Sequence, residues 1–210
     1  MDGITIDTEP LYTRAEINLF KEYGIKIPEE DWSLFRGSSE KLFYKHSMQR
    51  YEITEKTDVF IKKGRKYVRA EFDKGVPFMS GFKKLHKRIS PYYLTGLVTA
   101  SPRTSLNRII NELLLDDYFN IILSGEETKK NKPHPHPYKE AMRQLNVLPQ
   151  NTIIIEDSLV GIQSAIRSGA HVIAKTGSVP QNKLIHAHRV VNHLDQITLD
   201  MIQDVLFETL

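Results

Sequence analysis

The sequence predicts an α/β protein: a parallel sheet flanked by helices, with an inserted block made only of helices. Three observations carry this. Residues 92–177 alternate short apolar, β-prone runs with amphipathic ones, the pattern of successive right-handed β–α–β crossovers. Ile153, Ile154 and Ile155 stand in succession, as in a strand buried on both faces. Residues 11–73, by contrast, contain no convincing period-two alternation.

The elements follow in chain order. In "LYTRAEINLFKEYGI", Leu11, Ala15, Leu19 and Tyr23 share one helical face that ends near Gly24. "PEEDWSLFRG" opens on Pro-Glu-Glu and stops at Gly37, as a short capped helix does. "SEKLFYKHSMQRY" and "EKTDVFIKKGRKYVRAEFDK" complete the helical block, with Trp32, Phe35, Phe43 and Tyr44 expected in its internal core. Boundaries near Pro10 and within "KGVPFMSG" make residues 11–77 an insert between residues 1–10 and 78–210. Strands are then expected at 92–100, 118–125, 151–158 and 170–177, with helices "PRTSLNRIINELLL", "PYKEAMRQLNV" and "LVGIQSAIRSG" between them. A last short edge and an amphipathic helix carrying Leu199, Ile202 and Leu206 close the chain.

Composition narrows the function classes. The 210 residues are 40% hydrophobic and 26% charged, with net charge +3 and basic and acidic residues interspersed. That mixture reads as solvated faces without a nucleic-acid patch, and it suits small anionic substrates. There is no cysteine, which excludes thiol catalysis and disulfides. No apolar run approaches a membrane span and no signal peptide is visible, so a cytoplasmic, monomeric protein is expected.

Ligands of an open parallel sheet bind beyond the carboxyl ends of its strands. Thr99, Ala100 and Ser101 follow the first predicted strand, where hydroxyls and small backbone at a helix start suit an anion. Lys132-Pro133 follows the second. Glu156 and Asp157, with Ser158 behind them, follow the third. A hydroxyl, a lysine and an acidic pair on one rim make a site for a phosphate and a hard divalent cation such as Mg²⁺. His134 and His136 lack further ligands and are expected at the surface.

"MDGITIDTEPLY", "GLVTAS", "KPHPHPYKEA" and "IIIEDSLVGIQSAIRSGA" resemble the four motifs of the haloacid dehalogenase-like hydrolases, in particular the phosphatase and β-phosphoglucomutase-like branch. The resemblance implies a Rossmann-like core, a helical cap formed by the insert, Mg²⁺ and an aspartyl-phosphate mechanism. It makes Asp2 the general acid/base, with its carbonyl on the metal, and Thr99 and Ala100 the phosphate-binding hydroxyl and amide. Lys132 neutralises the phosphate, and Asp157, helped by Glu156, holds the metal. Arg36, Ser39, Glu40 and Lys41 are candidate contacts of the cap to a small phosphorylated substrate.

Two departures qualify this. The family's nucleophilic aspartate would fall immediately before Met1, and neither it nor the apolar strand that leads into it is in the sequence. The expectation is therefore a sheet whose first, central strand is missing, leaving backbone groups unpaired at ~1–3 kcal/mol each, and a form without turnover. A truncated record of an active enzyme and a catalytically dead paralogue both fit. His136 also replaces the family's usual Asp. The mutases carry a hinge-helix His where this sequence has Tyr12. The reading is thus a phosphatase of small phosphomonoesters, with a sugar-phosphate mutase or a non-catalytic phosphate-binding protein as alternatives.

Overall fold

The computed structural model describes residues 1–32, 40–177, 179, 182, 184 and 186–208. It divides into two compact units. One contains Met1–Asp7 and Phe78–Leu210, the other Thr8–Pro77.

The second unit is helical. Its long elements are α1 (Glu9–Lys21), α2 (Glu40–Arg50) and α3 (Thr57–Phe72). Leu11, Ala15, Leu19 and Phe20 are the buried face of α1, so the stripe turns at Phe20 and leaves Tyr23 only partly buried. Phe20, Phe43, Tyr44 and Phe60 pack edge to face with ring centroids 5.0–6.2 Å apart. Offset or edge-on rings satisfy the quadrupoles as well as the volume. Trp32 is partly buried against them, while Phe35 lies outside the described residues. Buried Glu71 is paired with Arg14 and Lys74, which is why a carboxylate is tolerated there.

The first unit holds the strands β1 (Gly96–Val98), β2 (Ile121–Leu123), β3 (Ile153–Glu156), β4 (His171–Lys175) and β5 (Arg189–Val191). Its helices are α4 (Phe82–Ile89), α5 (Arg103–Leu113), α6 (His136–Leu145), α7 (Leu159–Ser168) and α8 (Leu199–Phe207). Among the described residues these strands pair in parallel and fall into two groups, β1–β2 and β3–β4–β5, with an isolated antiparallel bridge between Ile6 and Phe78. Period-two alternation splits the core. Ile154, Val172 and Ala174 face one side with Met142 and Ile162, whereas Ile173 faces the other with Phe82, Leu85 and Ile202. The sheet is thus covered on both faces, as three consecutive isoleucines require.

Two elements differ from the sequence reading. Helix α4 was not foreseen, because "FKKLHKRI" is dominated by cations with only Phe82 and Leu85 buried. The last edge strand precedes Asn192 instead of following it. Among the described residues, no helix is long and apolar enough to cross a membrane.

Candidate functional site

The carboxyl end of β3 organises the site. Glu156 is the strand's last residue and is 6% exposed. Its Oε1 accepts from Lys132 Nζ at 2.6 Å and from the Tyr138 hydroxyl at 2.7 Å. Its Oε2 accepts from the backbone amides of Asp157 and Ser158 and from the Ser158 hydroxyl, at 3.0–3.1 Å. Burial alone would raise its pKa. The Lys132 charge, the Met1 amino group and the bonds from Lys132 and Tyr138 outweigh that and hold it at about 2.

Lys132 bridges two strand ends, because its Nζ also donates to the Val98 carbonyl at 3.2 Å, at the tip of β1. Its ammonium lies 4.8 Å from the centre of the Tyr138 ring. One residue beyond Val98, the buried Thr99 hydroxyl accepts from the Ser101 amide and donates to the Ser101 hydroxyl, both at 3.1 Å. Ala100 follows it, exposed, and α5 begins two residues after Ser101.

Asp157 is buried beside the N-terminal loop. A Cβ built on Gly3, at φ +72°, would fall inside the Asp157 carboxylate, so glycine is required twice over there. Gly161 has the same relation to Glu156, since a methyl group there would occupy its carboxyl. The loop is wound around the Met1 carbonyl, which accepts from the amides of Ile4, Thr5 and Ile6. Burial and the nearby Lys132 charge lower the pKa of the Met1 amino group, and Asp2, Glu156 and Asp157 act on the same nitrogen in the opposite direction.

Asp2, Thr99, Lys132, Glu156 and Asp157 thus converge on one rim of the first unit. Asp2 is exposed and bridges Ile6 in the loop. Lys41 is exposed on α2 in the other unit, whereas Arg36 and Ser39 lie outside the described residues. Tyr138, Gly3 and Gly161 were not singled out from sequence as site residues. Tyr138 read as core because its ring is apolar, and the two glycines have no side chain to suggest a role.

The donor set suits Mg²⁺ in kind, being oxygen only, but it is sparse. Both Glu156 oxygens are engaged by the protein, and among the described residues no three His, Cys, Asp or Glu side chains form a metal cluster. Mg²⁺ commonly keeps water and phosphate oxygens and takes one or two carboxylates, which Asp157 can provide beside the Asp2 carbonyl. His134 and His136 are half-buried, not surface residues, and the His134 Nδ1 accepts from the His136 amide.

Comparison with known proteins agrees with this architecture. A phosphorylated carbohydrates phosphatase of Thermotoga maritima is 27% identical over 170 residues, covering 80% of this chain and 79% of its own. The 6-phosphogluconate phosphatase of Escherichia coli K12 is 28% identical over 210 residues, covering 93% and 89%. The crystal structure of β-phosphoglucomutase from Clostridium difficile matches with a TM-score of 0.68 and 25% identity, over 98% of this chain and 93% of that one. The family model for haloacid dehalogenase-like hydrolases matches residues 1–175, across the rim just described. The chain belongs to the haloacid dehalogenase-like hydrolase family.

Proposed function

We propose that this protein is built to bind and hydrolyse small phosphomonoesters of the sugar-phosphate class. The observation that carries the reading is the Lys132–Glu156 pair set between Thr99 and Asp157 at the strand ends. Phosphoryl transfer asks mainly for positioning and for charge opposite the equatorial oxygens.

Each residue has a role in this reading. The Thr99 hydroxyl and the Ala100 amide donate to phosphate oxygens. Lys132 neutralises the phosphate while Glu156 and the Tyr138 ring fix its ammonium. Asp2 holds the proton destined for the leaving-group oxygen and later takes one from water. Asp157, with the Asp2 carbonyl, would hold Mg²⁺, which when bound adds positive charge against the phosphate oxygens. Glu156 acts at one remove, since its oxygens already position Lys132 and the start of α7.

In the family's Asp-x-Asp-Gly motif the attacking carboxylate lies two residues before the general acid/base, one position ahead of Met1. The relatives whose names specify phosphorylated carbohydrates and 6-phosphogluconate support a sugar-phosphate substrate. Tyr12, packed edge-on against Phe72 at 5.7 Å, favours the phosphatase over the mutase, which the likeness to β-phosphoglucomutase keeps as the second reading.

The test is phosphate release from a panel of sugar phosphates by this chain and by a form extended ahead of Met1 with a short apolar strand ending in Asp, so that the chain reads Asp-Met-Asp-Gly. Mg²⁺-dependent phosphate binding without release is expected for the first, and release for the second. Equal release by both overturns the assignment of the nucleophile. Isomerised sugar phosphate appearing faster than free phosphate favours the mutase.

A further inference from the structure

Lys175 is the last residue of β4 and is only 9% exposed. Its Nζ donates to the Thr176 carbonyl at 3.1 Å. Gly177, at φ +133°, turns the chain so closely over this ammonium that a Cβ there would lie 3.4 Å from Nζ. Glycine is the residue that takes such a φ without strain. Among the described residues Lys175 makes no ion pair, so a backbone carbonyl answers one of its three donors. A covered ammonium without a carboxylate in contact is costly, and none of the roles assigned above uses it.

Its place in the sheet shows which group it acts on. The register pairs Ile155 with Ile173 and Glu156 with Ala174, so Asp157 and Lys175 are the next pair outward. Each stands two positions beyond an isoleucine of the same core face, and adjacent strands lie about 4.8 Å apart. Charge balance agrees. Among the described residues, Glu156, Asp157 and Lys175 are the buried Asp, Glu, Lys or Arg of the first unit, and the Lys132 side chain is nearly as covered. Lys132 is held by Glu156, which leaves Lys175 as the covered cation beside Asp157. At that range, with little water between, a charge is felt without contact.

We infer that Lys175 is an internal counter-charge to Asp157: it opposes the binding of Mg²⁺ alone, so that the metal is taken up together with the phosphate dianion, whose charge offsets it. Lys175 touches neither ligand in this scheme. The inference rests on the phosphate-binding reading above and adds an order of binding to it.

The test is isothermal titration calorimetry of the 210-residue protein with Mg²⁺ alone, with inorganic phosphate alone, and with Mg²⁺ in the presence of phosphate. Phosphate should tighten Mg²⁺ binding in the unaltered protein. Lys175→Gln keeps a donor for the Thr176 carbonyl but removes the charge. It should bind Mg²⁺ alone about tenfold more tightly and phosphate alone more weakly. Lys175→Met, checked for folding by circular dichroism, should repeat both shifts, and Lys175→Arg should restore the unaltered affinities. A lysine that only braces the turn would change the melting temperature without moving the two affinities in opposite directions. Unchanged Mg²⁺ affinity in the Gln and Met variants, or Mg²⁺ and phosphate affinities that fall together, overturns the inference and leaves the phosphate-binding reading intact. Failure of the unaltered protein to take up Mg²⁺ even with phosphate present overturns both.

Discussion

Lys132 and Glu156 form an ion pair with little access to solvent, at 10% and 8% side-chain exposure, and removing one partner strands the other. Lys132→Met should abolish Mg²⁺-supported phosphate binding and destabilise the fold by about 3–5 kcal/mol, readable by calorimetry and urea unfolding. The pair also sets a pH dependence. The Glu156 carboxyl titrates at about 2 in the folded chain against an ordinary 4.5. A depressed carboxylate contributes stability in full above the unfolded value and loses it as pH falls from 4.5 toward 2. That contribution is on the order of 3 kcal/mol, and it should shrink in Lys132→Met, flattening the acid limb of the stability curve. Gly161→Ala is a sharper probe. Alanine gains about 1 kcal/mol of helix propensity over glycine, yet its methyl would occupy the Glu156 carboxyl. Net destabilisation of about 1–3 kcal/mol is expected; a more stable variant would contradict the packing described for Gly161.

At the scale of elements, α7 is held at its start by Ser158, whose hydroxyl accepts from the Gly161 amide at 3.1 Å. Ser158→Ala should cost about 1 kcal/mol, plus the loss of one donor to Glu156, measurable by denaturant unfolding. The rings of His171, at the start of β4, and His188, just before β5, meet edge-on at 4.9 Å, with His171 Nδ1 and His188 Nε2 buried without a hydrogen-bond partner among the described residues. Burial and the second imidazole lower the His188 pKa. A depressed histidine gives stability that is complete above its ordinary value near 6.5 and is lost as pH falls below it. His171→Phe should reduce that loss. Sequence made β3 and α7 legible because three isoleucines and a capped, glycine-ended helix repeat one message at several levels. It missed α4, where only Phe82 and Leu85 face the core and the cations between them obscure the period. It misplaced the last edge, since three residues of β5 offer almost no pattern to read.

For the whole molecule, chain order alone placed Thr99, Lys132 and the acidic pair at successive strand ends, and the structure gathers those residues at one rim. What sequence could not give were relations between distant positions. Gly3 lies against Asp157, and Tyr138 reaches Glu156 from α6. The central claim is that these pieces form a single phosphate cradle. Amide chemical-shift mapping during titration with inorganic phosphate and Mg²⁺ tests it most directly. The account predicts saturable shifts concentrated at Gly3, Thr99, Ala100, Asp157 and Ser158 and absent in Lys132→Met. Shifts scattered away from that rim, or unchanged binding in the variant, would contradict it.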